Sequence, residues 1–108
     1  MLKMKIYISG PITGTDDYKE RFQRAQEDLK NTYEYGMIVN PAGISEIFSK
    51  PEQVSHEDYM HISLAILDKC DCIHMLAGWE KSQGACIEYG YAKAKKMLIT
   101  FEEEHKNE

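Results

Sequence analysis

The sequence predicts an α/β fold in three layers, a small parallel sheet of about four strands with helices on both faces. Three observations predict it. Short runs of β-branched or aromatic residues alternate with stretches of helical periodicity, the runs stop at turn residues, and the alternation continues to the end of the chain. Crossovers between parallel strands are expected to be right-handed.

Each element has its own signal. Ile6, Tyr7 and Ile8 read as a first strand stopped by Ser9-Gly10-Pro11, with Tyr7 on the opposite sheet face from its two neighbours. Asp16 or Asp17 is placed to cap a helix whose apolar positions Tyr18, Phe22, Ala25 and Leu29 recur at helical spacing. Gly36 closes it, and Met37-Ile38-Val39 is a second strand stopped by Asn40-Pro41. Residues 42–54, with turn formers Gly43 and Pro51, read as a loop with one helical turn at most. Ser55 and Asp58 form a capping box for a helix with the stripe Tyr59, Ile62, Ala65 and Ile66, ending near Lys69. A third strand follows from Cys72 to Leu76, then a loop from Gly78 to Gly84, a helix from Ala85 to Lys95 and a fourth strand from Met97 to Phe101. One domain, 1–101, is expected, followed by an acidic tail, 102–108.

Composition narrows the function. A chain of 108 residues supports one core, and 43% hydrophobic residues exclude the disordered class. With 18 acidic against 13 basic side chains, a nucleic acid polymer is not the expected partner, because that role needs a basic surface. A single nucleotide is compatible, since helix N-terminal amides hold a phosphate without a lysine excess. Cys70, Cys72 and Cys86 are an odd set with no Cys-x-x-Cys, which predicts neither a disulfide framework nor a zinc knuckle and points to a reducing cytoplasm. His56, His61, His74 and His105 lack metal-ligand spacing, so no metal is expected, and no cofactor. There is no Gly-x-Ser-x-Gly nucleophile elbow, and no stretch reads as a signal peptide or membrane span.

In open parallel sheets, ligands bind beyond the carboxyl ends of the strands. That rule selects the loops Ser9 to Thr15, Asn40 to Gly43 and Ala77 to Gly84. The first is either an ordinary turn or a place where Gly10 and Gly14 let the main chain approach a ligand. Ser82 either only caps the following helix or also helps its amides hold a phosphate. Glu88 shares a helix face with Gly84, Ala85 and Ala92. By position alone it reads as a solvated glutamate, but the small residues beside it suggest close packing or a pocket. Tyr7 is either core or site, and Trp79 either a lid over a base or a loop anchor.

These residues carry a resemblance. Ile6 to Gly14, Cys70-Asp71 before a strand, and Gly78-Trp79-Glu80-Lys81-Ser82-Gln83-Gly84-Ala85 with the downstream Glu88 resemble the nucleoside 2-deoxyribosyltransferase superfamily, over nearly the whole chain up to Phe101. The likeness is closest to a compact bacterial and phage branch, and the sequence is similar to 2'-deoxynucleoside 5'-phosphate N-hydrolases. It implies a flavodoxin- or Rossmann-like arrangement, Glu88 as the nucleophile that attacks the anomeric carbon, and Tyr7 as the side chain that orients it. It implies a nucleotide site lined by Ser9, Gly10, Pro11, Ile12 and Thr13, with Asn40, Trp79, Ser82, Gly84 and Ala85. Ser82, six residues before Glu88, stands where enzymes of free nucleosides tend to carry an aspartate, which favours a nucleotide substrate. Ser63 occupies the position of the family's usual acid. A homodimer or higher homo-oligomer is expected from the resemblance.

The expected function is therefore N-glycosidic bond cleavage, or base exchange, on a (deoxy)nucleoside 5'-monophosphate. The alternative is a nucleotide-binding module without turnover.

Overall fold

A computed structural model describes residues 3–103 of the chain. Of the expected acidic tail, residues 104–108 lie outside the described residues, as does His105. Four strands, β1 (Lys5–Ser9), β2 (Met37–Val39), β3 (Cys72–Met75) and β4 (Leu98–Phe101), form one parallel sheet in the order β2-β1-β3-β4. Three α-helices join them, α1 (Tyr18–Thr32), α2 (His56–Leu67) and α3 (Gln83–Ala94). The predicted three-layer α/β class and its four-strand parallel sheet are what the chain forms.

The strand order explains the layering. The chain leaves β1 for β2 in one direction, then crosses back over β1 to β3 and on to β4. Crossovers of one hand that run in opposite directions put their helices on opposite faces. Phe22, Ala25 and Leu29 of α1 accordingly pack with Ile6, Ile8, Cys72 and Leu76 on one side. Leu67 of α2 and Ala85 and Ala92 of α3 pack with Tyr7, Ile73 and Met75 on the other. The period-two alternation of β1 therefore places Tyr7 as expected, buried toward α2 and α3.

The α2 capping box forms in full: Ser55 Oγ accepts from the Asp58 amide at 3.0 Å, and Asp58 Oδ2 accepts from the Ser55 amide at 3.1 Å. Four local expectations need correction. Asp17 stands at the start of α1, but its side chain makes no capping hydrogen bond. Gly36 does not close α1 in the left-handed region, which Gly14, Gly78 and Lys96 adopt instead. It serves a tight approach, because a Cβ there would lie 3.1 Å from the Tyr33 Cβ. Residues 42–54 are more ordered than a loop, with 3₁₀ turns over Pro41–Ile47 and Pro51–Gln53. The α2 stripe is not fully covered: Tyr59, Ile62 and Ile66 are half-buried and Ala65 is exposed, and the one buried residue of the helix is Leu67, outside the stripe.

Gly10 is needed for space. A Cβ at this position would stand 2.8 Å from the Cβ of Leu76 and 3.1 Å from its Cγ, inside the core where β1 meets the end of β3. Gly10→Ala is therefore expected to lower unfolding free energy by about 1–3 kcal/mol, the usual cost of overpacking. Urea denaturation would measure it, and an unchanged midpoint would contradict the tight packing. No helix among the described residues is long and apolar enough to cross a membrane.

Candidate active site

Tyr7 and Ser9 lie two residues apart on β1, so both side chains project toward α3. Glu88 comes from the second turn of α3 to meet them. The Tyr7 hydroxyl donates to Glu88 Oε2 at 2.5 Å, and the Ser9 hydroxyl donates to Glu88 Oε1 at 2.6 Å. Glu88 is 7% exposed, Ser9 1% and Tyr7 fully buried. A carboxylate in such a place needs partners, because an unpaired buried charge is costly.

The electrostatics follow from that geometry. Burial pushes the Glu88 carboxyl above the usual carboxylate range, and the hydrogen bonds from Ser9 and Tyr7 pull it partly back. Burial also holds the Tyr7 phenol well above its ordinary value, reinforced by the Glu88 charge and the hydrogen bond to it. Ser63 of α2 acts on Tyr7 in the opposite direction through its hydroxyl. Strand and α3 thus meet at one carboxylate, which α2 influences only through Tyr7.

Glu88 opens onto a cleft of about 610 Å³ beyond the carboxyl ends of β1 and β2. The size lies within the roughly 300–1,000 Å³ typical of small-molecule sites. Glu88 is the one carboxylate among its described lining residues. The first turn of α3 carries no acidic residue, and Ser82 Oγ accepts from the Ala85 amide at 3.2 Å. Accepting leaves the Ser82 O–H free to donate, so capping and ligand contact are compatible. Lys81 and His56 add basic side chains to the same rim.

A family model described as Domain of unknown function (DUF4406) matches residues 4–101. The chain belongs to this family. No curated protein matches it.

Within the DUF4406 chain, the structure brings together most of the residues expected at the site. Tyr7, Gly10, Ile12, Thr13, Ser63, Ser82, Gly84, Ala85 and Glu88 all line the cleft. Four others do not line it. Ser9 stands behind the carboxylate, bonded to it. Pro11 lies against Gly78, whose added Cβ would be 3.7 Å from Pro11 Cγ. Asn40 accepts from the Ala42 amide and donates to Gln26, so its side chain is engaged in the turn after β2. Trp79 stacks on Tyr89 at 4.5 Å between ring centroids, with Phe101 alongside, and is a loop anchor where it stands, not a lid.

Sequence reasoning placed Ser63 at the site but missed the rest of the α2 wall, His56, Tyr59 and Met60. His56, Tyr59, Met60 and Ser63 all face the cleft, at spacings i, i+3, i+4 and i+7 from the start of the helix. That stripe was readable once the capping box had placed the helix start, but its mixed polarity hid it from a search for apolar periodicity. Gly84 lies close under α2, where a Cβ would stand 3.2 Å from Met60 Sδ and ask that flexible side chain to shift by a few tenths of an ångström. His74, by contrast, bonds Thr100 at 2.7 Å within the sheet and does not line the cleft. Among the described residues, no group of three His, Cys, Asp or Glu side chains is placed to hold a metal ion.

Proposed function

We propose that this chain cleaves the N-glycosidic bond of a (deoxy)nucleoside 5'-monophosphate, by hydrolysis or base exchange, with Glu88 as nucleophile. The observation that carries the reading is a buried carboxylate held by two hydroxyls at the floor of a nucleotide-sized cleft. The likeness of its motifs to the nucleoside 2-deoxyribosyltransferase superfamily supports the same reading.

A Glu88 oxygen attacks C1' of the sugar, and the C1'–N bond breaks with its electron pair leaving on the base. The base takes up a proton, and the sugar is left as an ester of Glu88. Water or a second base then attacks C1' and releases the carboxylate. Either stereochemical course of glycoside displacement canonically uses a second carboxyl group as acid or base, and Glu88 is the one carboxylate among the described lining residues, so solvent water delivers the proton to the base and takes up the one released when water attacks. Tyr7 orients the nucleophile. The carboxylate-free first turn of α3, the Ser82 hydroxyl and Lys81 offer a positive edge for the 5'-phosphate.

A second reading, nucleotide binding without turnover, is favoured by one observation: α2 presents Ser63 to the cleft and no carboxyl group. Self-association accords with the exposed Ile87, Leu98 and Phe101, and a cytoplasmic setting with three free cysteines.

The test is a panel of nucleoside 5'-monophosphates and their parent nucleosides, with free base detected by chromatography. Release from at least one monophosphate, exceeding that from its nucleoside, is the expected result. A ligand-dependent rise in melting temperature without base release would leave the binding module in its place.

A further inference from the structure

Ser9 was expected to touch substrate, yet it is buried, does not line the cleft, and spends its hydroxyl on Glu88. We propose that Ser9 is a positioning residue that, together with Tyr7, clamps the Glu88 carboxylate between two hydroxyls of one strand and fixes the plane in which it faces the cleft. The kinetic part of this proposal rests on Glu88 being the nucleophile. The structural part does not.

The two donors divide the carboxylate. Tyr7 takes Oε2 and Ser9 takes Oε1, so rotation about the last side-chain bond of Glu88 would break both hydrogen bonds at once. Each oxygen keeps a second lone pair, which leaves one free to attack. A carboxylate held in one plane loses less freedom on reaching the attacking geometry. The clamp has an electrostatic side as well. Hydrogen bonds to the charged form favour that form, so the pair works against burial, which raises the Glu88 carboxyl above its ordinary range. Tyr7 alone would leave Oε1 without its protein donor.

Ser9→Ala removes one jaw of the clamp and adds no bulk. The carboxyl then protonates at higher pH, and the acidic limb of base release moves up. A hydrogen bond to a charged group changes an ionisation equilibrium by roughly tenfold to a hundredfold, so the limb should move by about one to two pH units. Other titratable groups face the same space: Tyr7 from β1, Tyr18 from α1, His56 and Tyr59 from α2, and Lys81 before α3, with Cys70 acting on Tyr7. Ser9→Ala alters none of them, and their contributions are common to both proteins.

Two measurements decide the matter. The pH profile of base release should show a loss at pH 5 exceeding the loss at pH 8 by about tenfold or more. Carbon NMR of protein labelled at the glutamate carboxyl, with the Glu88 signal assigned by its absence in Glu88→Gln, should show the titration midpoint rising in Ser9→Ala. Ser9→Cys, of similar size and with a weaker donor, should give an intermediate midpoint, and it serves if the alanine variant does not fold. An equal loss at every pH with an unmoved midpoint would overturn the clamp. If the wild type releases no base from any substrate, the nucleophile reading fails while the midpoint still tests Ser9.

Discussion

Replacing Glu88 by glutamine is expected to cut base release by about 10⁴-fold or more, the scale on which removal of a covalent nucleophile is felt, while the fold survives. Glutamine preserves shape and can still bond the hydroxyls of Tyr7 and Ser9, but its amide oxygen is a poor nucleophile. Stability should change in the other direction. The folded-state carboxyl of Glu88 lies above its unfolded value, so its contribution is fully present below the ordinary carboxylate range and is lost as pH rises through the raised value. The glutamine variant does not titrate there. Its melting temperature relative to the wild type should therefore climb as the buffer moves from about pH 4 to neutrality. Unchanged base release in the variant would remove Glu88 from the chemistry. A stability difference that stayed flat with pH would show that the carboxyl is not held above its ordinary range.

Ser63→Asp is expected to raise base release by about 100-fold to 10,000-fold for bases that must leave protonated, the range a positioned general acid supplies. Ser63 lines the cleft on α2 and acts on the Tyr7 hydroxyl, which itself holds Glu88. A carboxyl introduced there stands near a second carboxylate, and like charges keep one member of such a pair protonated. The protonated one serves as the acid, provided that Glu88 stays ionised through Ser9 and Tyr7. Base release followed against pH should show the gain falling away as the new group ionises. No gain at any pH would mean that this position does not reach the departing base.

The order and type of the strands and α-helices were legible through local signals: short β-branched or apolar runs for β1 to β4, apolar spacing for α1, the capping box for α2 and an alanine-rich stretch for α3. Residues 41–53 were less so. Their 3₁₀ turns are built around Pro41, Pro51 and the Asn40 side chain, which bonds the Ala42 amide, and turn chemistry of that kind looks like loop in sequence. Glu88 was legible through its small neighbours Ala85 and Ala92, which are indeed buried with it. Its two donors could not be sorted from sequence. Tyr7 and Ser9 share a strand face, but which of them meets the cleft and which stands behind the carboxylate depends on how α3 settles on the sheet. Trp79 shows the same limit from the other side, because its stacking on Tyr89 is a tertiary contact within the hydrophobic layer beneath α3.

The bond between Tyr7 and Glu88 joins residues 81 positions apart in a chain of 108. No fragment that stops before α3, and none that starts after β1, contains both halves of the site. Closing so long a loop is slow compared with forming any one helix. Recovery of the Tyr7–Glu88 pairing after dilution from denaturant, followed by the Glu88 carboxyl NMR signal, is therefore expected later than recovery of helical signal, and the delay between the two measures how long the sheet takes to bring its first strand to α3.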